Sequence, residues 1–200
     1  RDTEPTVEEQ TAIYAEVFEA FEGRKVVIRT LDAGSDKPLK FVGHPDEANP
    51  ALGVRGIRIA DGNPALLTHQ LEAIAGAAAR TGTAPWVMAP MIATADEARR
   101  FAERVREYGL VPGVMIEIPA AALLADRILR HVEFLSIGTN DLAQYTMAAD
   151  RMSADLAALT DPWQPGVLAL VDMTARAGAA AGKPVGVCGE AAADPLLACV

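Results

Sequence analysis

Short, almost uninterrupted apolar runs recur along this chain and alternate with capped amphipathic segments. Trp86 to Ile92, Gly113 to Ile118, Glu133 to Gly138 and Pro184 to Cys188 carry few polar residues on either alternating face. Strands of that kind must be buried on both sides, which calls for a parallel sheet with helices packed over it. Two α/β architectures meet the requirement: an open doubly wound sheet, or a (β/α)8 TIM barrel. No Gly-x-Gly-x-x-Gly follows a strand, so a dinucleotide-binding sheet has no support. Charged residues end several strands instead of gathering at one crossover point, and this favours the barrel.

The residues between the runs set where helices begin and end. Thr6-Val7-Glu8-Glu9 is a capping box, and Val7, Ile13, Tyr14, Val17, Phe18 and Phe21 follow at helical spacing, which predicts their burial on one face. Lys25 to Leu31 predicts the first strand, ending in Arg29-Thr30-Leu31-Asp32 and a loop from Ala33 to Pro38. Phe41 to Pro50 reads as loop, and Gly53 to Ala60, with Arg55 and Arg58, as a second short strand. Asn63-Pro64 opens a helix that ends near Gly82, and Thr94-Ala95-Asp96-Glu97 caps another that stops at Gly109. Pro119 starts a helix running to about Arg130, and Pro165 to Ala181 is helical up to Gly182. Six strands are therefore expected.

Half the 200 residues are apolar, enough for an ordinary core, and one domain is the default. A formal net charge of -9 argues against non-specific binding to nucleic acid or anionic membrane. Arginine clusters in such a chain read as local sites for a small anion. Two cysteines give no disulfide framework, there is no apolar run of about 18 residues, and the N-terminus shows no apolar signal region. The expectation is a soluble cytoplasmic protein.

Charge in an apolar run is costly unless paired or used by a ligand. Arg29 lies in Val-Val-Ile-Arg, Glu117 in Val-Met-Ile-Glu, and Asp141 just past Leu-Ser-Ile-Gly. They either pair with one another or line a site at the strand ends. Glu117 and Asp141 follow successive strands, so in a parallel sheet their carboxylates converge, and two carboxylates with water and substrate oxygens suit Mg2+. Arg29, Arg55 and Arg151 supply forked donors for phosphate and carboxylate. Cys188 ends the last strand and is either a small hydrophobe or an acid facing the same mouth. Cys199 reads as structural. His44, His69 and His131 share no metal spacing, and neither a Walker loop nor a Gly-x-Ser-x-Gly elbow is present.

These residues lie in a longer pattern: Val27-Ile28-Arg29-Thr30-Leu31-Asp32 with Asp36-Lys37-Pro38, Asn49-Pro50-Ala51-Leu52-Gly53-Val54-Arg55-Gly56-Ile57-Arg58, Pro90-Met91-Ile92, Gly138-Thr139-Asn140-Asp141-Leu142 with Asp150-Arg151, and Cys188-Gly189-Glu190. The pattern resembles the phosphoenolpyruvate-binding domain of Enzyme I of the bacterial sugar phosphotransferase system. Pyruvate phosphate dikinase and phosphoenolpyruvate synthase share it more loosely. The resemblance implies that Arg29, Arg55, Asn140, Asp141 and Arg151 bind phosphoenolpyruvate, that Glu117 and Asp141 hold Mg2+, and that Cys188 protonates the enolate that becomes pyruvate. It also implies a homodimer, phosphoryl transfer through an enzyme histidine to HPr, and a barrel here lacking its first and last strands. The phosphohistidine and HPr-binding domains would lie outside residues 1–200, so the fragment alone is expected to be inactive in turnover. A non-catalytic binding or dimerisation module is the competing expectation. Two local departures stand out: Ser35 replaces a glycine, and Glu72 and Gly76 replace arginines.

Overall fold

The computed structural model describes residues 3–43 and 46–197. The chain gathers into two compact units, residues 1–90 with 103–112, and residues 91–102 with 113–200.

In the first unit, α1 (Val7–Ala20) opens on the expected capping box. Thr6 Oγ1 accepts the Glu9 amide at 3.1 Å, and Glu9 Oε2 accepts the Thr6 amide at 2.9 Å. The helix buries Ala15 and Phe18, with Leu71, Ala73, Ile74 and Ala77 in the same core. Ile13, Val17 and Phe21, expected inward, are instead 49%, 37% and 50% exposed. They form an i, i+4, i+8 row, and the adjacent row through Tyr14 and Phe18 takes the inward side.

Strand β1 (Val27–Arg29) is followed, after a long loop, by a 3-10 turn at Gly56–Arg58, which leads into the short helix α2 (Ile59–Gly62). The strand expected from Gly53 to Ala60 therefore does not form, and five strands are found among the described residues. Gly56 is the cause: its φ of +58° breaks an extended course, and its amide bonds Ala33 O at 2.9 Å. Helix α3 (Pro64–Thr81) starts on its proline and stops at left-handed Gly82, as its sequence predicts. Strand β2 (Trp86–Ala89) pairs in parallel with β1 through Val27↔Trp86 and Arg29↔Met88.

Helix α4 (Ala95–Glu107) and strand β3 (Val111–Ile116) divide their residues between the units. The expected helix from Pro119 to Arg130 breaks into α5 (Pro119–Leu123) and α6 (Ala125–Ile128), because Leu124 leaves helical geometry at φ -107° and ψ 15°. Strand β4 (Phe134–Gly138) passes directly into α7 (Thr139–Met147). Helix α8 (Pro165–Ala181) and strand β5 (Val185–Cys188) complete the second unit. Here β3 pairs with β4 and β4 with β5, all in parallel, around a core that includes Ile116, Ile128, Leu135, Ile137 and Leu142.

Each unit thus has parallel strands and covering helices, the α/β class read from the apolar runs. Among the described residues no helix is long and apolar enough to cross a membrane. His44 and Cys199 lie outside the described residues.

Candidate active site

In the first unit, the end of β1 and the loop after it form a cleft of about 540 Å3, lined in part by Arg29, Asp32, Lys37 and Gln70. Asp32 is its electrostatic centre. Its carboxylate is 2% exposed and is approached by Lys37 at 3.1 Å, Arg29 at 3.3 Å and Arg55 at 3.7 Å. Arg55 is itself 1% exposed and pairs with Asp36 at 3.2 Å. Three cations thus share two carboxylates. Arg29 and Lys37 stay 45% and 38% exposed, so both are available to an anion entering the cleft.

Glycine makes the packing around Arg55 possible. A Cβ on Gly34 would lie 2.5 Å from Arg55 Cβ and 3.2 Å from its Cα. The loop is tied locally by a bridge between Gly34 and Lys37. Beneath the cleft, Gln70 of α3 accepts the Leu31 amide at 2.9 Å and donates to Tyr14 Oη at 2.9 Å. Burial pushes the Tyr14 phenol above its ordinary range, and the Gln70 bond partly offsets it.

In the second unit, strand register sets the arrangement. Ile116 faces Ile137 across β3 and β4, and Gly138 faces Cys188 across β4 and β5. Glu117 is one residue past Ile116, so Glu117, Gly138 and Cys188 form one row at the strands' C-terminal ends. Glu117 leans over the glycine: a Cβ on Gly138 would lie 2.6 Å from Glu117 Cγ and 2.8 Å from Oε1. The carboxylate is 2% exposed, and its Oε2 accepts the Met91 amide at 2.9 Å. Met91 reaches it by adopting a left-handed φ of 62°, uncommon for a bulky residue.

The start of α7 carries the next members. Asp141 is buried, with Arg151 Nη1 3.9 Å from Oδ1. Arg151 is brought back by left-handed Ala148 and by its amide bond to Gln144 Oε1 at 3.0 Å. Asn140 Oδ1 accepts the Glu190 amide at 3.0 Å, and Thr139 Oγ1 donates to Cys188 O at 3.0 Å. These bonds fix the turn after β5 against α7, a fit that Gly189 permits by lacking a side chain at φ +91°. The Cys188 thiol donates to Ile137 O at 3.4 Å and accepts from Ser136 Oγ at 3.5 Å.

Arg29 and Arg55 are therefore brought together around Asp32, and Glu117, Asn140, Asp141, Arg151 and Cys188 share the strand ends of the second unit. The sequence reading gave no role to Asp32, Asp36, Lys37, Gln70 or Gly138. Asp32 follows Arg29 by three residues at a strand end, a signal that was present. Gln70 carried none, being one more polar residue on an amphipathic helix. Glu72 and Gly76 lie on exposed positions of α3. Among the described residues no three His, Cys, Asp or Glu side chains gather as a metal-binding group. In the second unit, the buried carboxylates among the described residues are Glu117 and Asp141.

Parallel strands that end in a cation-lined cleft in one unit, and in a buried carboxylate level with a thiol in the other, define an α/β protein whose polar side chains gather at the strand ends. The chain belongs to the PEP-utilising enzymes: the family's PEP-binding domain matches residues 1–200. It is 55% identical over 198 residues to a phosphoenolpyruvate-protein phosphotransferase of Streptomyces coelicolor, covering 98% of this chain and 36% of that protein. It is 47% identical over 207 residues to a multiphosphoryl transfer protein of Rhodobacter capsulatus, covering 100% of this chain and 25% of that one. A phosphoenolpyruvate-protein phosphotransferase of Listeria monocytogenes is 44% identical over 214 residues, with 98% and 37% covered. The chain thus spans between a quarter and a little more than a third of the length of these curated relatives.

Proposed function

We propose that this chain is the phosphoenolpyruvate-binding part of an Enzyme I-type phosphoenolpyruvate-protein phosphotransferase. The parent would move the phosphoryl group of phosphoenolpyruvate to an enzyme histidine and on to HPr, releasing pyruvate in the cytoplasm for sugar uptake. The observation that carries the reading is the row Glu117, Gly138 and Cys188, which sets a buried carboxylate at the end of β3 and a thiol at the end of β5 at one level on either side of β4. The relatives' names and the cationic cleft support it.

In this reading Arg29 and Arg55, with Asn140 and Arg151, hold the ligand's phosphoryl and carboxylate groups. Glu117 and Asp141 fit Mg2+, a hard cation that needs few protein oxygens and keeps water and substrate oxygens for the rest. When bound, the ion neutralises charge on the phosphoryl group and the enolate oxygen. Cys188 holds the proton: its S–H bond breaks as a C–H bond forms at the enolate methylene, leaving a thiolate and pyruvate. The proposed fold is a partial (β/α)8 barrel, supported by parallel pairing in both units, and the proposed assembly is a homodimer.

Calorimetric titration with phosphoenolpyruvate and Mg2+ tests the reading. Binding by the native protein that weakens at least about tenfold in Glu117→Ala is expected. No heat from the native protein would leave the binding or dimerisation module in its place.

A further inference from the structure

We propose that Ser35 and Glu47 form a clasp that presets the anion-binding cleft of the first unit, and that both are positioning residues for its ligand. This deepens the phosphoenolpyruvate reading and rests on it for the ligand's identity.

Arg55 lies at the end of a segment, residues 46–54, whose only regular structure is one 3-10 turn at Pro50–Leu52. Such a stretch has few backbone bonds of its own to keep a buried guanidinium in place. Glu47 compensates from inside the segment. Its Oε1 accepts the Val54 amide at 2.8 Å, one residue before Arg55, and its Oε2 accepts the Ser35 hydroxyl at 2.7 Å. The carboxylate sits where a side chain on Gly53 would be, so this glycine gives it its place.

Ser35 belongs to the other loop, between Gly34, on which Arg55 packs, and Asp36, with which Arg55 pairs. One carboxylate therefore joins the loop that carries Arg55 to the loop that carries Asp36 and Lys37. The Gly56 amide bond to Ala33 O, at 2.9 Å, is the backbone counterpart of this link. Ser35 is also the residue that departs from the glycine expected by resemblance, and a glycine has no hydroxyl to give. The clasp is thus a feature of this chain's own sequence.

The sign of its effect separates clasp from charge. Glu47 is an anion close to a cleft for anions, so removing it should tighten ligand binding if electrostatics alone mattered. A clasp requires the opposite. Ser35→Ala and Glu47→Ala should each speed hydrogen exchange of the Val54 amide and weaken phosphoenolpyruvate at fixed Mg2+, both by about tenfold, the worth of a hydrogen bond to a charged group. Ser35→Thr, which keeps the hydroxyl, should retain native exchange and native affinity. Unchanged Val54 exchange, unchanged affinity in the alanine variants, or tighter binding by Glu47→Ala overturns the clasp. If the native protein does not bind phosphoenolpyruvate, that reading fails by itself, and the same criteria are applied with inorganic phosphate. A native protein that binds neither anion overturns the clasp as well.

Discussion

Arg55 and Glu117 are equally buried, at 1% and 2% exposure, yet they are held in different ways. Glu117 is placed by strand register, by a glycine opposite it and by one backbone amide. Arg55 is placed by contacts between two irregular loops and by acids that it must itself neutralise. A group fixed by register can lose its charge and leave the scaffold standing. A group that neutralises its own surroundings cannot.

The largest expected effect follows from that difference. Arg55→Met removes the buried cation that pairs with Asp36 and faces Asp32, and should destabilise the fold by about 3 kcal/mol, the low end for breaking a buried ion pair because Lys37 and Arg29 still face Asp32. Glu117→Gln keeps an oxygen for the Met91 amide and should cost no more than about 1 kcal/mol, while abolishing Mg2+ binding. Urea denaturation of both variants, with calorimetric Mg2+ titration of the second, checks the pair. Equal losses of stability would mean that the two residues are held alike.

Adding a methyl group at each supporting glycine sharpens the comparison. The Cβ of Gly34→Ala meets the Cβ and Cα of Arg55, so the loop itself must shift, and about 1–3 kcal/mol should be lost. In Gly138→Ala the methyl meets Cγ and Oε1 of Glu117, a side chain that can swing aside. The expected cost in stability is smaller, about 1 kcal/mol, and the displaced carboxylate should weaken Mg2+ by about tenfold. If Gly138→Ala proves the less stable and binds Mg2+ normally, Glu117 is not positioned by that gap.

The same contrast explains what could be read in the sequence. Strand 134–138 was legible because burial on both faces leaves an apolar run, and 86–89 and 185–188 were legible from runs of the same kind, although Val187 of the last is 49% exposed. Once they are paired, the row of Glu117 and Cys188 follows from period and register alone. The segment 53–60 was misread because Val54, Ile57 and Ile59 imitate a strand, whereas Gly56 turns the chain through a tertiary bond to Ala33. The break at Leu124 and the exposed row on α1 escaped for the same reason. Each depends on what packs against it, and periodicity does not record the neighbour.

The smallest expected effect concerns the support beneath the cleft. Tyr14, Gln70 and the Leu31 amide form a hydrogen-bonded chain from α1 to the end of β1. Burial raises the Tyr14 phenol above its ordinary value of about 10, so the folded state favours the neutral form. The folded protein thus holds the phenolic proton more tightly than the unfolded chain does. The contribution is complete below about pH 10 and is lost as pH rises through the folded value. Tyr14→Phe should cost about 1 kcal/mol near neutrality, the net worth of one hydrogen bond, because Gln70 keeps its bond to Leu31. Above about pH 10 the native protein should lose stability faster than the variant, so the gap between their urea midpoints should narrow. Midpoints that stay parallel across the alkaline range would assign the titration to another group and leave Tyr14 as packing alone.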